Sequence, residues 1–499
     1  MKRENIAHKV LRIGLGLVAS LVVSASFTQG TWTWQQQCSS NEWRTICQGS
    51  ICGYDQNGNP VYWYANNWGH TYCGYQPSLP GPGSIVLFPT GSGALLASNV
   101  DIFSVTIASG AVLNWSWGTM TLRDPGGANP GSLSILSGGT LLWSEGSLDL
   151  RSDSSGNPGT LTNAGLLRWV NNYSRGLSGL LVNQSQLVHE AGATYFNGAT
   201  VRNATGATAE VRFGNWYNNS GTNRVENSGT LRKTSPDPNN PTSFSTSVNT
   251  TNSGLISVES GTLTFNTLAQ TNGETRIYRN ATLSVNNPLA MQGGKLTGAG
   301  TLSGNLNNTA GAIAPGIDDP SLPDQNPLGI LTLNGNLTMG ADAVFEVELA
   351  GTDNSDPANP QYDRVVVSGS GRTVQLDGTL RVKGRGGYVP ALGDTFDILV
   401  RTGSWWNFSG AFHTVEVDAD TLPCVAFEVQ YLSDRVRIVA SAAGSPDINR
   451  DGCVDDADLL AVLFAFGQTG SALPEDTNCD GVVDDADLLE VLFAFGQGC

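Results

Sequence analysis

Five asparagines head short segments of one kind in the middle of this chain: Asn163-Ala-Gly-Leu, Asn183-Gln-Ser-Gln-Leu, Asn203-Ala-Thr-Gly, Asn227-Ser-Gly-Thr-Leu and Asn252-Ser-Gly-Leu. They recur at spacings of 20, 20, 24 and 25 residues. A unit that small cannot bury an apolar face alone, so repeats of this size stack and share one core. From residue 84 to 340 the chain is rich in Gly, Ser, Thr and Asn, with alternating runs such as Ser132-Leu-Ser-Ile135 and Gly146-Ser-Leu-Asp-Leu150. Period-two alternation bounded by Gly or Asn predicts half-buried strands. Asn at recurring turns tolerates the left-handed backbone and can stack as a ladder. The fold class expected is therefore mostly β: a right-handed parallel β-helix (solenoid) over 84–340, with a sandwich or irregular β array as the alternative. The strands of 341–440 are less repetitive and are expected to complete or cap the stack, because an open last rung would expose unpaired edges.

The tail is of a different kind. Residues 454–468 recur at 483–497 with fourteen of fifteen positions identical, at an offset of 29. Each copy closes an acid-rich loop, Asp447 to Asp458 and Asp476 to Asp487. In both, oxygen side chains occupy positions 1, 3, 5, 9 and 12 and Gly occupies position 6 (Gly452, Gly481). That pattern suits a hard cation: calcium takes six to eight oxygens, and the Gly permits the sharp turn. Direct ligands are expected from Asp447, Asn449, Asp451 and Asp458, and from Asp476, Asn478, Asp480 and Asp487. The carbonyls of Cys453 and Val482 would add one ligand each, and Asp455 and Asp484 would act through water. Two Ca2+ ions are thus expected. Residues 446–499 hold ten Asp and two Glu against a single Arg, a self-repulsive balance unless cations neutralise it. A disordered acidic tail is the bland alternative, but it would not contain Leu-Leu-x-Val-Leu-Phe-Ala-Phe twice. The two loops are expected to pair through a short β-bridge near Val454 and Val483.

The duplicated pattern resembles the type I dockerin module over about 54 residues. The resemblance implies a small α-helical, EF-hand-like unit of paired loop–helix segments that folds on calcium and docks onto a cohesin-like or other surface protein. Positions 10 and 11, which help to set partner choice in that family, are Asp456-Ala457 and Asp485-Ala486. Where the family carries a basic pair further along, this chain has Leu463-Phe464 and Leu492-Phe493. Upstream, residues 294–316 and the run from Gly329 resemble the strand repeat of autotransporter passenger domains. Those chains continue into a membrane barrel. Here the acid-rich loops follow instead, so self-transport is not implied.

Residues 1–25 read as a secretory signal peptide: Lys2, Arg3, Lys9 and Arg12, then an apolar stretch from Ile13 to Val23, then Val23-Ser-Ala25 as a cleavage site. No other segment approaches 18 apolar residues, so no transmembrane anchor is expected after cleavage. The expected location is extracellular or the cell surface. Eight cysteines fit oxidation there. Cys38, Cys47, Cys52 and Cys73 would make two bridges of undetermined connectivity, and Cys424, Cys453, Cys479 and Cys499 two more. Residues 31–76 form a Cys- and Trp-rich island with five Trp and five Tyr, stapled by its bridges. Its rings fill a small core or, in the alternative, stack on glycans through residues such as Trp63 and Trp68. Residues 77–83 read as a linker.

Parallel β-helices host polysaccharide lyases and glycoside hydrolases, so activity on polysaccharide is weighed. Hydrolysis needs two carboxyls across a cleft, and lyase chemistry a base beside a cation or acids. No local cluster of that kind stands out over 84–340, and no catalytic residue is assigned. Asp318-Asp319 and the acids from Asp353 to Asp363 read as solvated turns, and His70, His189 and His413 are isolated. Net acidity and only five Lys argue against nucleic acid. The leading expectation is a structural or adhesive solenoid with a calcium-dependent docking module. The rival is a carbohydrate-active enzyme or glycan-binding subunit attached through the same module.

Overall fold

The structure, a computed structural model, describes residues 84–499 except 89, 91–92, 98, 236–241, 323–324, 404–405, 423, 443, 450 and 471–472, together with 22–25 and 30–33. Val22–Ala25 pairs antiparallel with Gly30–Thr33 and with Ser84–Phe88. Most of the leader-like segment, the linker, Cys38, Cys47, Cys52, Cys73, Trp63, Trp68 and His70 lie outside the described residues. The chain is mostly β, built from long parallel ladders as in a β-solenoid, and it divides into two compact units: 1–209 with 216–223, and 210–215 with 224–499.

In the first unit, Val112–Trp117, Thr140–Trp143, Leu166–Trp169 and Gln186–His189 stack in parallel register. One inward column is Leu113, Leu141, Leu167 and Leu187; the next is Trp115, Trp143, Trp169 and His189. All eight are buried. Parallel strands lie about 4.8 Å apart, so in-register residues of like size touch directly. Trp115 and Trp143 accordingly stack with centroids 4.6 Å apart and planes 10° from parallel. A second parallel ladder joins Ser132–Ile135, Thr160–Asn163, Ser174–Asn183 and Ala193–Asn203.

The repeating asparagines are that ladder's inner column. Asn163 Nδ2 donates to Asn183 Oδ1 at 2.7 Å, and Asn183 Nδ2 to Asn203 Oδ1 at 2.7 Å. Second donations go to the carbonyls of Gln186 and Thr208, so these buried amides are satisfied. The long strand Ser174–Asn183 bends at Gly179, whose φ is +80°. A Cβ there would stand 2.6 Å from Leu150 Cβ, so only glycine fits both the backbone and the space.

The second unit repeats the scheme. Asn227 Nδ2 donates to Asn252 Oδ1 at 2.7 Å, and the column continues in register through Gln270, Met291, Asn308 and Met339. Polar and apolar side chains of similar length thus share one place in the stack. Parallel pairing does not stop near residue 340. It runs through Val344–Leu349 and Thr379–Gly384 to Thr414–Val417. The hairpin Val425–Tyr431 and Arg435–Ala442 lies antiparallel on Thr395–Arg401 and ends the other ladder, which runs through Ile330–Asn334 and Arg364–Val367. Asp397 accepts from Arg435 and Arg437, each at 2.7 Å, which ties the hairpin to the strand it covers.

Candidate functional site

The twelfth residue of each acid-rich loop organises it. Helix α1 (Asp456–Ala465) begins on Asp455 as N-cap, with Asp458 completing a capping box. Asp458 Oδ2 accepts from the Asp455 N–H at 3.0 Å, while Oδ1 accepts from Ile448 and Asn449 N–H at 2.7 and 3.0 Å. One carboxylate therefore binds the start of the loop to the start of the helix. Helix α2 (Asp485–Ala494) is built the same way: Asp487 accepts from Asp484 N–H at 2.8 Å and Asn478 N–H at 2.9 Å. Both carboxylates are fully buried. Burial pushes the Asp458 carboxyl up, but its backbone N–H donors outweigh that and hold it below the ordinary carboxylate value.

The remaining acids follow the same spacing. Asp447 accepts from the N–H groups of Asp451 and Gly452 at 3.2 and 3.0 Å, and Asp476 from those of Asp480 and Gly481 at 3.1 and 2.9 Å. Asn449 and Asn478 accept from Asp451 and Asp480 N–H, and these in turn take Cys453 and Val482 N–H. Gly452 and Gly481, with φ of +93° and +89°, supply the turn at position 6. The oxygen set is complete in each loop, and the donors are those a hard cation selects. The carboxylates are turned onto backbone N–H groups, and among the described residues no three His, Cys, Asp or Glu converge into a ready-made metal cluster. Nor, among the described residues, does a Lys or Arg side chain pair with any acid of residues 446–499.

The loops do not bridge to each other at Val454 and Val483 as expected. Val454 exchanges backbone hydrogen bonds with Gln497 (2.9 Å) and Gly496 (2.8 Å), beyond α2. Val483 does so with Gln468 (3.0 Å) and Gly467 (2.7 Å), beyond α1. Each loop is closed by the exit of the other copy's helix. The reason is packing: the two helices share one core of Val454, Val462, Ala465, Val483, Val491 and Ala494, which brings each helix end against the opposite loop. Cys453 is bonded to Cys499 and Cys424 to Cys479, with Cα separations of 4.6 and 5.5 Å. The second bridge joins loop 476–487 to the turn before the capping hairpin.

That core uses one narrow side of each helix. Phe464 and Phe493 are 83% and 82% exposed, and Leu460, Leu463, Leu489 and Leu492 are about half exposed.

Elsewhere acids and bases meet through the stacking of strands. On the outer face of the second unit, Glu346 lies 3.0 Å from Lys383, 3.6 Å from Lys295 and 3.7 Å from Arg381. Arg276 bridges Glu274 and Asp319 at 2.9 Å each. Glu274 shares a strand with Arg276 and Arg381 with Lys383, but each set is completed by groups from other rungs, so no local motif announces it. Burial raises the Glu346 carboxyl, but its cations outweigh burial and hold it below the ordinary value, opposite to a general acid. Of the acids read as solvated turns, Asp353 and Asp356 are exposed, whereas Asp318 and Asp319 are ion-paired with Arg385 and Arg276. Asp363 is a correction: it is fully buried, accepting from Gly329 and Glu348 N–H at 2.8 and 2.9 Å, and burial raises its carboxyl well above the usual range. His189 is a core residue bonded to Trp216, and His413 is exposed at a turn.

No protein-family model matches this chain, and no curated protein matches it.

Proposed function

We propose that this chain is a secreted or cell-surface protein in which a right-handed β-solenoid scaffold, structural or adhesive, is attached through a dockerin-like C-terminal module that folds on two calcium ions. The single observation that carries the reading is the matched exposure of Phe464 and Phe493 on helices whose first turns are each tied to an acid-rich loop. A cation held by Asp447, Asn449, Asp451, the Cys453 carbonyl, Asp455 and Asp458 would neutralise the loop, and its symmetric counterpart would do the same at Asp476 to Asp487. Calcium supplies charge balance there; the protein supplies the caps that carry loop order into the helix. Ordered helices then present the leucine and phenylalanine surface to a cohesin-like or other protein partner. Direct attachment to polysaccharide through Trp63 and Trp68 remains the rival for the rest of the chain.

The test is calcium calorimetry on the full oxidised chain, followed by hydrogen exchange with and without chelator. Two sites and loss of protection over 456–465 and 485–494 in chelator are expected. Equal protection in both conditions overturns the reading.

A further inference from the structure

The first unit carries an aromatic feature on its outer face that the docking module does not explain. Ser174–Asn183 and Ala193–Asn203 are ten and eleven residues long, the longest strands among the described residues, and they make a broad ledge. Along Ala193–Asn203, Thr194 and Phe196 point inward, while Tyr195 points out and is 37% exposed. In the strand Gly214–Ser220, Trp216 points inward and Tyr217 out, at 40% exposure. The two tyrosines stack with centroids 5.1 Å apart and planes 23° from parallel. Beside them Asn219 Nδ2 and Ser220 Oγ both donate to Asn197 Oδ1, at 2.7 and 3.0 Å.

On the other side of the stack the next strand presents a glycine, and Ser147 Oγ lies 2.5 Å from where a Cβ on it would stand. Tyr195 is in register with Gly176, which has no side chain, and beyond that lies Ser147. Packing of the unit itself does not call for these rings, since its core is already filled by Trp143, Trp169, Phe196 and Trp216. Every outward side chain from Ser174 to Ser178, from Ala193 to Asn197 and from Tyr217 to Ser220 is uncharged. Asp149, one strand further on, is paired with Arg151 at 2.5 Å.

From this geometry we propose that the ledge binds a neutral polysaccharide, one pyranose ring continuing the Tyr195–Tyr217 stack over Gly176 and the Ser147 hydroxyl. A pyranose has an apolar C–H face matching a phenol ring, and hydroxyl edges matching a fringe of amides and hydroxyls. Anionic glycans and nucleic acids require a cationic surface, whereas the outward residues around Tyr195 and Tyr217 carry no charge and the exposed cation of the Ala193–Asn203 strand, Arg202, lies seven residues along from Tyr195. The site is independent of the calcium loops.

Affinity electrophoresis of the full chain in gels holding soluble β-glucan, xylan, galactomannan or dextran tests this, with pectate and alginate as anionic controls. At least one neutral polymer is expected to retard the protein, in EDTA as well as in calcium. Y195A/Y217A should weaken calorimetric binding by about tenfold, while Y195F/Y217F retains it. Both tyrosines point outward, and unchanged tryptophan bands at the long-wavelength edge of the near-ultraviolet dichroism spectrum check that the Trp column is intact. N219A is the second variant, expected to weaken binding by about threefold without touching the aromatic stack. Retardation by no neutral polymer, retardation only by the anionic ones, loss in EDTA, or full binding by Y195A/Y217A overturns the proposal.

Discussion

Val454 donates its backbone N–H to the carbonyl of Gln497 at 2.9 Å, so the first acid-rich loop is closed by the turn that follows the second helix. Val483 and Gln468 repeat the arrangement in the other direction. The two loops are therefore one cooperative unit. Asp487→Ala removes a capping carboxylate from the second loop and should cost about 1–3 kcal/mol locally. It should also weaken calcium at the first loop, because the helix exit that closes that loop loosens. Calorimetry on D487A is expected to find both affinities reduced, and hydrogen exchange to find α1 as well as α2 less protected. An untouched first site would mean the loops act separately.

The Cys453–Cys499 bridge fastens the same closure covalently. Its sequence separation of 46 gives a chain-entropy contribution of about 4 kcal/mol if the unfolded tail is unstructured. Cys499→Ser should therefore raise the calcium needed to protect α1 and α2 in exchange experiments, with little change in the solenoid strands. Dithiothreitol should reproduce that shift in the parent chain, and further loosen loop 476–487 by opening Cys424–Cys479.

What was legible in the sequence was whatever each repeat demands locally. Asn163, Asn183 and Asn203 could be read as a ladder because every rung places the same amide in the same slot, and the loop oxygens because a cation fixes their spacing within one segment. Relations between segments were not legible. Lys295, Glu346, Arg381 and Lys383 meet only because their strands belong to one parallel stack of four, and sequence spacing carries no record of which rung lies beside which. The duplicated tail allows two symmetric closures, a loop on its twin loop or a loop on its twin's helix exit, and only the shared core of Val462 and Val491 selects the second. Asp363 looked like its exposed neighbours because its burial depends on Gly329 and Glu348, which come from neighbouring strands and turns.

The ladder predicts its own cost of interruption. Asn183 is bonded on both sides, to Asn163 and Asn203, and to the Thr208 carbonyl at 3.0 Å. Asn183→Ala takes one hydrogen bond from each of two buried amides and one from the Thr208 carbonyl, and should destabilise the first unit by about 2–4 kcal/mol. Asn183→Gln, although it keeps the amide, adds a methylene to a packed column and is expected to restore less than half of that. Urea unfolding followed by Trp fluorescence measures both.

His189 gives the first unit an acid sensitivity. Trp216 Nε1 donates to His189 Nδ1 at 2.8 Å, and His189 Nε2 lies 3.1 Å from the Gly192 carbonyl, an arrangement only the neutral ring can make. Burial, with the Arg175 charge added, pushes the imidazole down to about 3. A folded value below the unfolded one means the unfolded chain binds the extra proton between roughly pH 6.5 and 3. Stability is therefore whole above about pH 6.5 and falls as pH drops through that window, by up to about 1.4 kcal/mol per pH unit. His189→Phe lacks this titration, since a phenyl ring cannot take up a proton. The variant should be less stable at pH 7, because the Trp216 N–H loses its acceptor, yet flatter between pH 6.5 and 4 than the parent. Parallel slopes for parent and variant across that range would show that acid sensitivity originates elsewhere.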